Sequence, residues 1–178
     1  VDVPAGKNLV GSFHAPRVVV ADTGTLATLP SAERVQGLVE AFKHGAILAA
    51  QYFEWLTSAA DRLLAADVET ATEAIIRSVR IKADVVTRDE REGGLRQVLN
   101  FGHTLGHAIE AASAYGVGHG TAVGAGMLLE AELGQRLGVT EEGTRARIAS
   151  GLMTLGLSLD SVPSVDVEDV LRFLASDK

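Results

Sequence analysis

Between Pro30 and Pro163 the chain runs without a proline, and no other feature restricts its fold as much. Proline removes a backbone donor and clashes with the preceding turn, costing a helix interior about 3 kcal/mol. A stretch that lacks it and is rich in Ala, Leu and Glu is free to be helical almost throughout. Before it, the one convincing strand signal is Arg17-Val18-Val19-Val20-Ala21, where β-branched side chains run together. A parallel sheet cannot be built from one strand. The expectation is therefore a mainly α, multi-helix domain over residues 31–178, preceded over residues 1–30 by a short β/irregular lead with one strand.

Caps and periodicity place the helices. Ser31 is a candidate cap for a helix that carries through Lys43, where Gly45 either loosens it or lets it continue. A second helix is predicted over Val68–Val86, with Ile75, Ile76, Val79 and Ala83 at core spacing. Gly93-Gly94 is a break, and a third helix is predicted from Leu95 to Ala112. After the loop Gly116-Val117-Gly118, an apolar, Gly-containing helix starts at His119 or Gly120 and ends near Leu137. Thr140-Glu141-Glu142-Gly143 caps a further amphipathic segment, and Val165–Ala175 makes the last. There is no internal repeat.

Composition removes several classes of function. The 178 residues suit a single domain. With 16 Lys and Arg against 23 Asp and Glu, a net charge of -7 makes nucleic acid an unsuitable partner. Cysteine is absent, so a disulfide, a thiolate metal site and a cysteine nucleophile are excluded, and any metal must use His, Asp or Glu. No apolar run approaches the roughly 18 residues of a membrane span and no basic-then-apolar leader opens the chain, so a cytoplasmic location is expected by default. The chain opens on Val1 and its only methionines are Met127 and Met153, which suggests a piece of something longer.

The chemistry concentrates in Arg96-Gln97-Val98-Leu99-Asn100-Phe101-Gly102-His103-Thr104-Leu105-Gly106-His107-Ala108-Ile109-Glu110. On one continuous helix, Arg96, Asn100, His103 and His107 would form a polar stripe among apolar neighbours. Such a line must find partners or suffer desolvation, which points to a ligand-lined cleft; the alternative is a solvated face with two incidental histidines. His103 and His107 at i, i+4 could also clasp one metal, although Thr104 stands where a zincin carries glutamate. His119 lies between Gly118 and Gly120, where backbone and ligand can approach closely. Glu40, beside Leu38, Val39 and Phe42, needs a cation, which is either a metal or Lys43 as an i, i+3 ion pair. Lys7-Asn8 sits in a Gly-containing loop suited to phosphate or carboxylate. Lys82 precedes a charged turn, Thr87 to Glu92, read as mostly solvated. Neither a phosphate loop nor G-x-G-x-x-G occurs, so the chain shows no nucleotide fold of its own.

Taken together, Pro4-Ala5-Gly6-Lys7-Asn8-Leu9-Val10-Gly11-Ser12-Phe13, Thr28-Leu29-Pro30, the E-x-x-K-H-G of Glu40 to Gly45, Lys82 to Val86, Leu99 to Glu110 and His119-Gly120-x-Ala122-Val123 resemble 3-dehydroquinate synthases in order and spacing. The resemblance covers the whole chain but only the C-terminal portion of the enzyme. It implies the metal- and substrate-binding helical domain of that fold, with Glu40, His103 and His119 as ligands of Zn2+ or Co2+. Lys43, Lys82, Arg96, Asn100 and His107 would bind the carboxylate, hydroxyls and phosphate of a phosphorylated sugar acid, Lys7 and Asn8 would contact it too, and Thr28 and Leu29 would touch NAD. Asp177-Lys178 resembles the start of a D-K-K motif.

The implied reaction converts 3-deoxy-D-arabino-heptulosonate 7-phosphate to 3-dehydroquinate and phosphate, a carbon–oxygen lyase step of the shikimate pathway to aromatic amino acids. It requires an N-terminal NAD-binding domain that this chain lacks, so the chain alone is expected to be inactive and the full-length enzyme a homodimer. Thr121 stands where the family usually has Glu, and Gly37-Leu38-Val39-Glu40-Ala41-Phe42 varies the common G-x-A-E-V-I. These departures admit a relative such as a 2-deoxy-scyllo-inosose or 2-epi-5-epi-valiolone synthase, while the Pro4 to Gly11 lead and Lys82 favour the dehydroquinate branch. The reading from a different class is a noncatalytic helical interaction domain with a structural His stripe.

Overall fold

Pro30 decides where the first helix begins. With φ -53° and ψ 143° it stands just outside helix α1 (Ser31–Leu48), and its carbonyl accepts from the amides of Glu33 and Arg34 at 3.0 and 3.1 Å. Ser31 is thus the first helical residue and not the cap that its side chain suggested, because proline's extended ψ already supplies the entry geometry. The computed structural model of the chain describes residues 3, 10–12, 14, 16–157, 162 and 164–176. Lys7, Asn8, Asp177 and Lys178 lie outside them.

Among the described residues the remaining helices are α2 (Ala50–Ser58), α3 (Ala60–Leu64), α4 (Val68–Arg88), α5 (His103–Ala112), α6 (His119–Arg136), α7 (Thr144–Thr154) and α8 (Val167–Ser176), with 3-10 turns at Thr23–Ala27 and Leu95–Asn100. Helix α1 is the hub and packs against α2, α3, α4, α6 and α7, while α5 lies along α6 and also packs against α8. The main core gathers Phe42, Leu56, Met127, Leu152 and Leu155, each no more than 2% exposed. Burying each contributes about 1.5–3 kcal/mol. Gly45 lets α1 run on to Leu48 while α2 folds back onto it, since a Cβ there would stand 2.9 Å from the Phe53 backbone. Among the described residues no helix is long and apolar enough to cross a membrane.

The mainly helical reading holds, with four corrections. The strand expected over Arg17–Ala21 is not formed, and Val18, Val19 and Val20 lie exposed. A β-branched run becomes a strand only when another strand satisfies its backbone, and among the described residues none does so. Helices α2 and α3 were unsignalled because their boundaries fall at Ala49 and Ala59, without glycine or proline. On α4, Ile76, Val79 and Ala83 are exposed, and the buried face is instead Thr70, Ala71, Ala74 and Val85. Small residues let α4 approach α1, leaving Ile75 and Val79 to line an apolar cleft with Leu26, Leu29 and Leu38. Finally, the helix expected over Leu95–Ala112 is broken: the 3-10 turn ends at Asn100, Phe101 is extended, and Gly102 takes φ +78° before α5 begins. The single polar stripe therefore does not exist on one helix.

Candidate metal centre and anion cleft

The break at Gly102 places His103 in the first turn of α5. No side chain of the preceding residue caps that turn; instead Glu130 of α6 accepts from the Gly102 amide at 2.8 Å and from the Leu105 amide at 3.5 Å. A carboxylate there also suits the positive end of the helix. His119 is the first residue of α6, and Gln36 of α1 fixes that end. Its Oε1 accepts from the Thr121 amide at 2.9 Å, and its Nε2 donates to the Thr121 hydroxyl at 3.0 Å. Glu40 comes one turn after Gln36. Helix α1 and the consecutive pair α5 and α6 thus deliver Glu40, His103 and His119 to one place.

Their ligand atoms lie within 4.8 Å of one another. Glu40 Oε1 is 3.3 Å from His103 Nε2 and 3.6 Å from His119 Nε2, while Glu40 Oε2 accepts from Lys43 Nζ at 2.8 Å. Among the described residues Oε1 makes no directed hydrogen bond, although it is buried. The imidazoles face it at ion-pair distance without donating to it squarely. Each ring has a second anchor: His103 Nδ1 is 3.4 Å from the Phe101 carbonyl and His119 Nδ1 is 3.0 Å from Glu110 Oε2. One carboxylate oxygen and two Nε2 atoms are thereby left converging on a common point. Three protein ligands with the outer nitrogens engaged suit a tetrahedral divalent cation with an open position.

The electrostatics agree. Burial pushes the Glu40 carboxyl up, but the facing His103 and His119 rings and the Lys43 ammonium outweigh it and hold it well below the usual carboxylate range. The Lys43 ammonium is itself pushed down by burial, against the pull of Glu40. His119 is raised, foremost by Glu40 and then by Glu110, against its partial burial. Next along α1, His44 is buried, lies 2.7 Å from the Ser78 hydroxyl, and is pushed down to about 4 by burial and by Lys43.

Beside Glu40 and His103 opens a cleft of about 200 Å3, into which Lys43, Lys82 and Arg96 bring cationic groups and Asn100 an amide. Four residues picked from sequence are therefore gathered at one opening. His107 does not line this cleft but stands beside the other two histidines, its ring centroid 5.3 Å from that of His103 and 6.0 Å from that of His119. Thr28 and Leu29 do not line this cleft; Leu29 lines the apolar cleft, which Glu40 also borders. Sequence reasoning missed two carboxylates. Glu92, read as solvated, has φ +58°, lines the cationic cleft and accepts from Asn100 Nδ2 at 3.2 Å. Glu110 is buried against His119, and the signal for it was an acidic residue three positions after His107 on a face of buried Ala108 and Ile109.

Known proteins match the chain along its whole length. Residues 37–178 match the family described as 3-dehydroquinate synthase C-terminal, and residues 1–36 match 3-dehydroquinate synthase N-terminal. The 3-dehydroquinate synthase of Saccharophagus degradans is 45% identical over 179 residues, which cover 100% of this chain and 49% of that protein. That of Acidithiobacillus ferrooxidans is 45% identical over 184 residues, again 100% of this chain and 49% of the relative. This chain spans about half the length of the curated relatives it matches. Among solved structures, a 2-deoxy-scyllo-inosose synthase complexed with carbaglucose-6-phosphate, NAD+ and Co2+ is 28% identical with a TM-score of 0.88, over 100% of this chain and 48% of that one. The 2-epi-5-epi-valiolone synthase of Streptomyces hygroscopicus, with NAD+ and Zn2+ bound, is 26% identical with a TM-score of 0.84, over 99% and 49%.

Proposed function

This chain belongs to the 3-dehydroquinate synthase family, and from that premise we propose that it is the metal- and substrate-binding half of an enzyme converting 3-deoxy-D-arabino-heptulosonate 7-phosphate to 3-dehydroquinate and phosphate. The observation that carries the reading is Glu40 Oε1, buried without a directed hydrogen bond and facing two imidazole nitrogens. Glu40, His103 and His119 hold Zn2+ or Co2+. When bound, that cation supplies Lewis-acid polarisation of substrate oxygens, and NAD supplies transient hydride acceptance.

The chain's own residues bind and orient. Lys43, Lys82 and Arg96 hold the carboxylate and phosphate of a polyanionic substrate by charge-assisted hydrogen bonds. Asn100 orients hydroxyls without adding charge. His107 donates to the phosphate as it leaves, which lowers the cost of the departing charge. Lys43, already paired with Glu40, keeps the floor of the cleft cationic even though burial weakens its hold on a proton. Lys7 and Asn8 are further substrate contacts, and Thr28 and Leu29 contact the cofactor. NAD binding itself belongs to an N-terminal domain preceding the lead, in a cytoplasmic, homodimeric carbon–oxygen lyase.

The test has two parts. Purified chain should bind one equivalent of Zn2+ or Co2+, lost on Glu40→Ala or His119→Ala, but should not release phosphate by itself. The full-length parent should turn over the heptulosonate phosphate. The structural likeness to an inosose synthase favours one second reading, another sugar phosphate cyclase; activity on glucose 6-phosphate with none on the heptulosonate would establish it instead.

A further inference from the structure

The two histidines of the centre are steadied unequally. His103 follows the Gly102 turn and is mostly buried, so packing restricts its ring, and its Nδ1 meets the Phe101 carbonyl at 3.4 Å. His119 is the opening residue of α6 and its side chain is 42% exposed, so little packing fixes its torsions. What meets it is the Glu110 carboxylate, only 6% exposed, at 3.0 Å from Nδ1. Burying a carboxylate at this depth is costly unless its charge is used. Isosteric apolar residues would have filled the space between α5 and α6 more cheaply.

Resting on the metal-centre reading above, we propose that Glu110 is the positioning residue of His119. A carboxylate can only accept, so Nδ1 carries the hydrogen and the lone pair is confined to Nε2, the nitrogen that faces Glu40 and His103. The same bond fixes the ring plane and makes Nε2 a stronger donor to a cation. A carboxylate is needed for this: a neutral acceptor orients the ring but raises its basicity less. Glu110 also lies within 4.8 Å of the nearest ligand atom of His107, and those two residues with His119 form a second group able to hold a metal. That rival arrangement predicts a different outcome below.

The test is zinc affinity of the purified chain by chelator competition, with the visible spectrum of the Co2+ form as a second readout. Glu110→Gln keeps the shape and removes the charge. It should keep the far-UV circular dichroism and metal-free melting curve of the parent, bind zinc roughly 10–100-fold more weakly, and shift the Co2+ bands. Glu110→Asp, with the charge drawn back by one methylene, should fall between the two and carries the same comparison if the Gln variant does not fold. Zinc affinity of Glu110→Gln within twofold of the parent overturns the proposal. So does zinc that survives Glu40→Gln but is lost with His107→Ala, because Glu110 would then be a ligand. If the parent binds no stoichiometric metal, it is the metal-centre reading that fails.

Discussion

Lys43 Nζ lies 2.8 Å from Oε2 of Glu40, while Oε1 of the same carboxylate faces His103 and His119. The ion pair and a ligand role, set against each other as alternatives by the sequence, are compatible because a carboxylate has two oxygens. The two imidazoles and the lysine together hold Glu40 ionised, and the lysine's grip on Oε2 orients Oε1 towards the histidines.

Lys43→Met should therefore destabilise the metal-free protein by about 2 kcal/mol, the scale of a lost charged hydrogen bond. Glu40→Gln/Lys43→Met should recover part of this, since removing both partners leaves no uncompensated charge. Urea melts of the two variants and the parent, with and without zinc, check it; added zinc should reduce the deficit of the single variant.

Gly126 and Gly37 should respond oppositely to alanine. A Cβ on Gly126 would press on the Gly102 carbonyl and stand 2.9 Å from the Gly106 amide, at the contact that seats His103. Gly126→Ala should cost about 1–3 kcal/mol and weaken zinc binding. Gly37 has open space around it within α1, so Gly37→Ala should stabilise by about 0.5–1 kcal/mol. Thermal melts of both variants decide this.

Asp89 organises the loop that brings Glu92 and Arg96 to the cleft, accepting from the amides of Gly93, Gly94 and Arg96 at 2.7, 2.9 and 2.9 Å. Those bonds, that of Arg96 foremost, hold its carboxyl below the ordinary range. In Asp89→Ala these three amides should lose protection in hydrogen exchange, while zinc stoichiometry stays unchanged. Unaltered protection would show that the loop holds itself.

His44 predicts a pH dependence. Its folded-state pKa is lowered to about 4 from 6.5, so below pH 6.5 the unfolded chain binds a proton that the native chain refuses. Stability of the metal-free protein should fall as pH drops from 6.5 towards 4, a limb distinct from the Glu40 loss expected below the ordinary carboxylate range. The groups acting on His44 are Lys43, Lys82 and His103, which oppose its protonation, and Glu40, which favours it. In His44→Asn the limb between pH 6.5 and 4 should flatten, as measured by urea melts at fixed ionic strength.

Much of the fold was legible because it is local. The proline-free stretch, the start of α4 at Val68 and the start of α6 at His119 were fixed by breakers and by spacing within one or two turns. What failed was non-local. Ile76 and Val79 have core spacing on α4 but lie exposed, and Arg17–Ala21 has strand composition but, among the described residues, no strand to pair with. The supposed stripe from Arg96 to His107 failed at Gly102, where Met127 and the Val123 carbonyl leave no space for a Cβ and Glu130 supplies the cap from another helix.

The sequence by itself determined that the chain is mainly helical, that any metal must rest on imidazole and carboxylate, and which family it resembles, since these follow from composition, short-range spacing and motif. Only the tertiary structure decided that Glu40, His103 and His119 meet, that Lys43 takes one oxygen of Glu40 and leaves the other, and that Glu110 stands behind His119. The contacts among Glu40, His103, Glu110 and His119 join residues 9 to 79 positions apart. Their distances are set by how closely α1, α5 and α6 can pack, which no local rule of spacing contains.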